Sequence, residues 1–298
     1  MLNDILKQDN FLLPLKQAKG KDFYKTLYDT LEEYRNEIII SANLYETIDP
    51  AAISINEAEL KLRVNAICGG IYKIIEAYYK GKTYLAYNIL NNLLKVSKLE
   101  HYLACNHNNS DENFYRMRTM HNNFSIEQSE LLHIPFHLRG KINTQRYSIP
   151  GFPCLYLGNS LHVAWEELIR PDIYDIQVAR YSNLTPFKVI DLTFDDLGKD
   201  HLSPERLMYL AQMYPIICAC SVLVKHREDP FKPEYIFPQL MLQWVNDNIK
   251  FDAICYSSTH IDIHHLSNRG KFYNYVLPVK NIDLDLSSST GFCTDLCN

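Results

Sequence analysis

The feature that most constrains this chain is a change of hydrophobic period along its length. Between residues 21 and 99 apolar side chains recur at steps of three or four: Phe23, Leu27, Leu31, Tyr34 and Ile38 in one run, then Leu60, Val64, Ile67, Ile71, Ile74 and Tyr78 in the next. That spacing lines one face of a helix. A third helix is expected from Thr83 to about Leu99, after the break at Gly81-Lys82-Thr83. From Phe114 onward the pattern becomes short runs rich in β-branched and aromatic residues, at 115–120, 153–158, 173–182, 188–193, 251–257 and 274–279, which read as strands. Helices are expected between them at 160–169, 203–227 and 234–248. Asn159 or Ser160 can cap the first, and Ser203-Pro204-Glu205 is a capped start with proline at the first helical position. The polar, aperiodic stretch 105–113 is the natural boundary. The expected organisation is a helical unit over 1–110 and a mixed α/β domain over 111–298.

At 298 residues, with 47% hydrophobic and 22% charged residues, the chain has ample material for a folded core and none of the bias of a disordered or fibrous one. Thirty Lys and Arg against 35 Asp and Glu give a net charge of -5, which supplies no overall attraction to nucleic acid. Eight Cys, at 68, 105, 154, 218, 220, 255, 293 and 297, form no paired C-x-x-C pattern and fit free thiols in a reducing cytoplasm. The opening residues lack a basic segment followed by an apolar one, and no apolar run approaches the ~18 residues of a membrane span. A cytoplasmic protein without membrane contact is expected. The Ser-rich stretch 287–290 with Cys293 and Cys297 reads as a loosely ordered end.

Polar and aromatic residues are densest over 114–167: Arg116, Arg118, His133, His137, Arg139, Arg146, Tyr147, Ser148, Tyr156, Glu166 and Glu167. Guanidinium forks match phosphate oxygens, and tyrosines can stack on a flat ring, so a nucleotide pocket is one reading. Solvated or salt-bridged arginines are the other. His260, His264 and His265 lie close in sequence but lack the glutamate of an H-E-x-x-H metal motif, so no metal is expected. Cys154 and Cys255 sit in apolar strand runs, where a thiol is inert. There is no Walker loop and no G-x-G-x-x-G, which argues against a dehydrogenase.

The run RYSIPGFPCLYLGNSLHVAWEEL, 146–168, resembles the motif of the RES-domain family, named for its Arg, Glu and Ser. Arg146, Tyr147, Ser148, Gly151, Tyr156 and Glu167 fall in register with it. Tyr115-Arg116 matches the family's first strand, and Tyr256-Ser257-Ser258 its late Tyr-Pro-Ser, with Ser258 at the Ser position. Tyr147-Ser148 stands where the family has Trp-Asn, and Ser257 replaces the Pro, which leaves Ser257 and Ser258 both open as the motif serine. The resemblance spans about 113–280 and is silent on 1–110.

The resemblance implies an α+β fold: an ADP-ribosyltransferase-like, mixed-sheet core preceded by the N-terminal helical unit. It implies an NAD-consuming enzyme, an NAD phosphorylase or glycohydrolase of bacterial toxin–antitoxin type, with NAD as substrate and no cofactor. Inorganic phosphate is the alternative co-substrate to water. Protein ADP-ribosylation and a non-catalytic nucleotide- or partner-binding module are the competing readings. Glu167, Arg116 and Ser258 are the implied catalytic residues; Arg146, Tyr147, Ser148, Tyr156 and Arg118 the implied substrate-binding ones. Arg118, two along a strand from Arg116, shares its face. Glu167 is preferred to Glu166, which points about 100° away on a helix and is expected to be solvated or ion-paired. Expected partners are an antitoxin or other regulatory protein and a second copy through the N-terminal helices, which either control access to the pocket or simply complete the core.

Overall fold

The structure, a computed structural model, describes residues 2–46, 48–96, 99, 104–107, 112–120, 127–182, 187–197, 202–261 and 271–280. His264, His265, Cys293, Cys297 and the Ser-rich stretch lie outside the described residues. The chain divides into two compact units, Met1–Tyr102 with Asp196–Leu240, and Leu103–Asp195 with Met241–Asn298.

In the first unit, α1 (Leu2–Leu6) precedes the three periodic helices α2 (Phe23–Ile40), α3 (Glu57–Tyr79) and α4 (Thr83–Val96). The Asp22 side chain accepts from the amide of Lys25 to start α2, and Asn56 accepts from Glu59 to start α3. The expected stripe of α2 is buried throughout, as is that of α3 apart from the half-buried Tyr78.

Helix α6 (Pro204–Cys220) belongs to this unit as well and packs against α1, α2 and α3. The sequence boundary near residue 110 does not anticipate this, because α6 has no apolar stripe: every residue from Leu207 to Cys220 is buried. A helix apolar on all sides needs cover on all sides. Ser203 caps it as expected, with its Oγ accepting from the Arg206 amide, and it stops at Cys220 rather than running on to 227. Pro215 lies inside it and has no N–H for the carbonyl of Ala211, four residues back. The fully buried Tyr34 hydroxyl donates to that carbonyl at 2.7 Å, replacing the missing bond. Tyr34→Phe should therefore cost about 1–3 kcal/mol by leaving a buried carbonyl unpaired. A lowered denaturation midpoint with an unchanged m-value would register it, and an unchanged midpoint would show that the carbonyl is otherwise satisfied.

The second unit is a seven-stranded mixed sheet in the order β1-β5-β6-β7-β3-β2-β4. Its strands are β1 (Ala104–His107), β2 (Asn113–Thr119), β3 (Cys154–Gly158), β4 (Ile176–Ser182), β5 (Phe187–Leu192), β6 (Ala253–Ser257) and β7 (Tyr273–Pro278). Among the described residues only the β5–β6 pair is parallel. The class is α+β, with the N-terminal helices preceding the sheet. Strand β1 falls in the stretch read as a polar boundary; it pairs along the sheet edge with β5 through backbone bonds, which composition does not reveal. Phe114, Leu155, Leu157, Val189, Ala253, Cys255 and Tyr275 form the core cluster on one side of the sheet. The expected helices at 160–169 and 234–248 are α5 (Leu161–Glu167) and α7 (Ile236–Asp247).

Candidate active site

The site is built where β3 turns into α5. Ser160 caps the helix, its Oγ accepting from Val163 N–H. Asn159 ties the turn to β7, accepting from Tyr273 N–H and donating to the carbonyl of Lys271. Gly158 favours a close approach: a Cβ there would lie 3.0 Å from the backbone nitrogen of Ala164 and 3.2 Å from the carbonyl of Ser160, so the helix would have to give by a few tenths of an ångström. Without it α5 could not lie so tightly on the strand end, and Glu167, one turn beyond Ala164, would sit farther from the sheet.

The two adjacent glutamates diverge as their helical phase requires. Glu166 is buried and ion-paired with Arg170 Nε at 2.8 Å, so it is paired but not solvated. Ile169 (φ 62°) and Arg170 (φ 52°) leave the helix in left-handed conformations, which turn Arg170 back onto that carboxylate. Glu167 faces β6 and β7. Ser258 Oγ donates to its Oε1 at 2.7 Å, and Asn274 Nδ2 donates to the same oxygen at 2.6 Å. The backbone N–H of His260 donates to Ser258 Oγ at 3.2 Å, so the serine's own proton is directed at the glutamate. His260 Nε2 lies 3.7 Å from Oε2.

Of the two candidate serines, Ser258 is the one that meets Glu167. Ser257 is buried, donates to Asp195 Oδ1 at 2.8 Å and accepts from Phe194 N–H at 2.9 Å, which ties β6 to the end of β5. Arg146 Nη2 donates to Thr259 Oγ1 at 3.4 Å, next to Ser258, so a second arginine of the motif reaches the same loop. Tyr156 Oη donates to the carbonyl of Tyr147 at 2.6 Å. Tyr147 itself is only 1% exposed, its ring 4.4 Å from that of Tyr256. Ser148 is also buried and bonds locally to both the amide and the carbonyl of Gln145. Both therefore fall in the packed wall that carries Tyr156, because the motif's turn folds them inward. Burial also pushes the Cys154 thiol up to about 12, in keeping with an inert cysteine.

Arg116 is set apart on β2, which meets β3 through the single register pair Tyr115–Gly158 among the described residues. Its Nη1 is buried with no hydrogen-bond partner among the described residues. Burial, reinforced by neighbouring Arg118, pulls its pKa down to about 10, while Tyr181 and Tyr156 nearby oppose the shift. It remains a cation at neutral pH. Arg118 Nη2 donates to the carbonyl of Leu132 at 3.3 Å. His133, buried, bonds through Nδ1 to the carbonyl of Ile134, and burial lowers its pKa. Arg139 is exposed and lies over the ring of Phe136.

Of the residues that the sequence singles out, Glu167 and Ser258 are brought together and Arg116 stands apart on β2, while Asn274 and the place of His260 beside them are not anticipated. An asparagine in the otherwise apolar strand run 274–279 was the available signal for Asn274. No helix among the described residues is long and apolar enough to cross a membrane.

These features define a RES domain, and the chain belongs to that family: the RES domain model matches residues 114–282. The chain is similar to the protein named "Putative toxin YopC" of Bacillus subtilis (strain 168), with 32% identity over 295 residues, covering 90% of this chain. It spans 63% of the length of that relative. No solved structure matches.

Proposed function

We propose that this chain is an NAD-consuming enzyme that cleaves the nicotinamide–ribose bond and acts as a toxin. The observation that carries this reading is the Glu167 carboxylate held through one oxygen by Ser258 and Asn274. In such a reaction the C1′–N bond breaks, the electron pair leaves with nicotinamide, and the ribose carbon becomes oxocarbenium-like. A fixed carboxylate stabilises that growing positive charge, and it does so most effectively when it need not reorganise. An acceptor oxygen then bonds to C1′ and loses its proton; water gives hydrolysis, phosphate gives phosphorolysis, and a protein side chain gives ADP-ribosylation.

Arg116 is suited to the anionic part of the substrate. A buried guanidinium whose Nη1 has no partner among the described residues is costly, and phosphate oxygens compensate it with two-pronged charge-assisted bonds. Arg146, beside Ser258, and Arg118 would add to the same field, while Tyr156 would border the nicotinamide. Tyr147 and Ser148 would support Tyr156 and Arg146 from behind. The name of the Bacillus subtilis relative favours a toxin; in this reading its core is ADP-ribosyltransferase-like, it works on the NAD of the cytoplasm and an antitoxin restrains it. In this reading NAD is the substrate and no cofactor is needed.

Expression of the full chain in a bacterium without a neutralising partner should lower cellular NAD and arrest growth, and Glu167→Gln should relieve both. Normal NAD levels during accumulation of folded wild-type protein would contradict the proposal and favour a non-catalytic binding module.

A further inference from the structure

Asn274 lies on β7 between Gly158 of β3 and Tyr256 of β6 in the sheet register, and is 4% exposed. A primary amide in that position must find partners or lose stability. A carboxylate only accepts, so it is the amide's NH₂ that faces Glu167. Ser258, at the end of the adjacent β6, is oriented by the His260 N–H to donate to the same oxygen. Two donors from neighbouring strands thus converge on Oε1, while Oε2 has His260 Nε2 at 3.7 Å, too long for a hydrogen bond but within ion-pair reach of a protonated ring. Gly158, opposite Asn274, lets the first turn of α5 lie close against the strand end, with Ala164 N 3.0 Å from where a Cβ would stand.

We infer that Asn274 is a positioning residue that, with Ser258, clamps one oxygen of Glu167 and so presents the other to the reacting ribose. The inference rests on the reading of Glu167 as the group that acts on the glycosidic bond. A clamp of this kind fixes the plane of the carboxylate before substrate arrives, so its loss falls on the transition state rather than on binding.

The test uses the full chain with NAD as substrate, together with ¹³C-labelled glutamate to follow the Glu167 carboxyl by NMR. Asn274→Ala should lower kcat about 10–100-fold with KM changed by no more than a few-fold, the loss expected for one bond to a charged group. Asn274→Asp keeps the shape but sets a second carboxylate against Glu167. Like charges at that distance share a proton, so the acid limb of the kcat profile should move to higher pH by about one unit or more. His260 Nε2 lies 3.7 Å from the other oxygen of Glu167, so the resonances of its ring are followed in the same samples. The Glu167 carboxyl resonance should titrate upward to match, a readout that a packing role would not move. Wild-type kcat in Asn274→Ala, or an unmoved Glu167 titration in Asn274→Asp, would overturn the clamp. If the wild-type chain releases no nicotinamide but the titration moves in Asn274→Asp, the clamp stands and the NAD reading fails.

Discussion

Glu167→Gln should lower the rate of NAD cleavage by about 10²–10³, the usual loss when one preorganised electrostatic contact to a transition state is removed. The substitution is nearly isosteric, and the glutamine carbonyl can still accept from Ser258 Oγ and Asn274 Nδ2, which meet at Oε1. What disappears is the negative charge. Melting temperature should therefore stay close to wild type while single-turnover nicotinamide release collapses. Glu166→Gln supplies the contrast, since that carboxylate is buried against Arg170. It should cost stability and leave turnover per folded molecule within a few-fold. If Glu166→Gln is the inactive protein and Glu167→Gln turns over normally, the assignment is reversed.

Arg116→Ala should weaken NAD binding about 10–100-fold, corresponding to the loss of a charge-assisted contact to phosphate. The stability of the unliganded protein should move little or in the opposite direction. The guanidinium is buried and its Nη1 has no hydrogen-bond partner among the described residues, so truncation relieves the desolvation of a cation. Weaker binding with undiminished stability separates a binding group from a structural one. Arg116→Lys should recover part of the affinity only, because an ammonium cannot form the two-pronged contact. Arg139→Ala, at an exposed position, should bind as wild type does. Unchanged affinity in Arg116→Ala, measured by calorimetry on the Glu167→Gln background to prevent turnover, would remove the phosphate role.

How much of this was legible in the sequence depended on whether a residue's role is local. The stripe of α2 announced itself because a half-buried helix must repeat at its own period, and the cap at Ser203 did so because capping is a contact within one turn. The fate of Pro215 was not legible, since its compensation comes from Tyr34, far away in sequence. Nor was the grouping of α6 with the N-terminal helices, because a helix buried on every side carries no directional pattern. At the site, helical phase separated Glu167 from Glu166. Alternation along a strand says that Ser257 and Ser258 point apart, but not which of them meets the carboxylate; that required the position of α5 over the sheet. Asn274 stayed hidden because its partner lies 107 residues away in sequence. Tyr147 and Ser148 matched the motif by position, yet a motif records which residues recur and not which of them face inward.

Cleavage of the bond between nicotinamide and ribose is tested most directly by nicotinamide release from NAD by the purified 298-residue chain, in buffers with and without inorganic phosphate. One nicotinamide is expected for each NAD consumed. The companion product should be ADP-ribose if water is the acceptor, or its 1″-phosphate if phosphate is, and release should fall at least a hundredfold in Glu167→Gln. Folded wild-type protein that leaves NAD intact in both buffers, or a Glu167→Gln protein that releases nicotinamide at the wild-type rate, would contradict it.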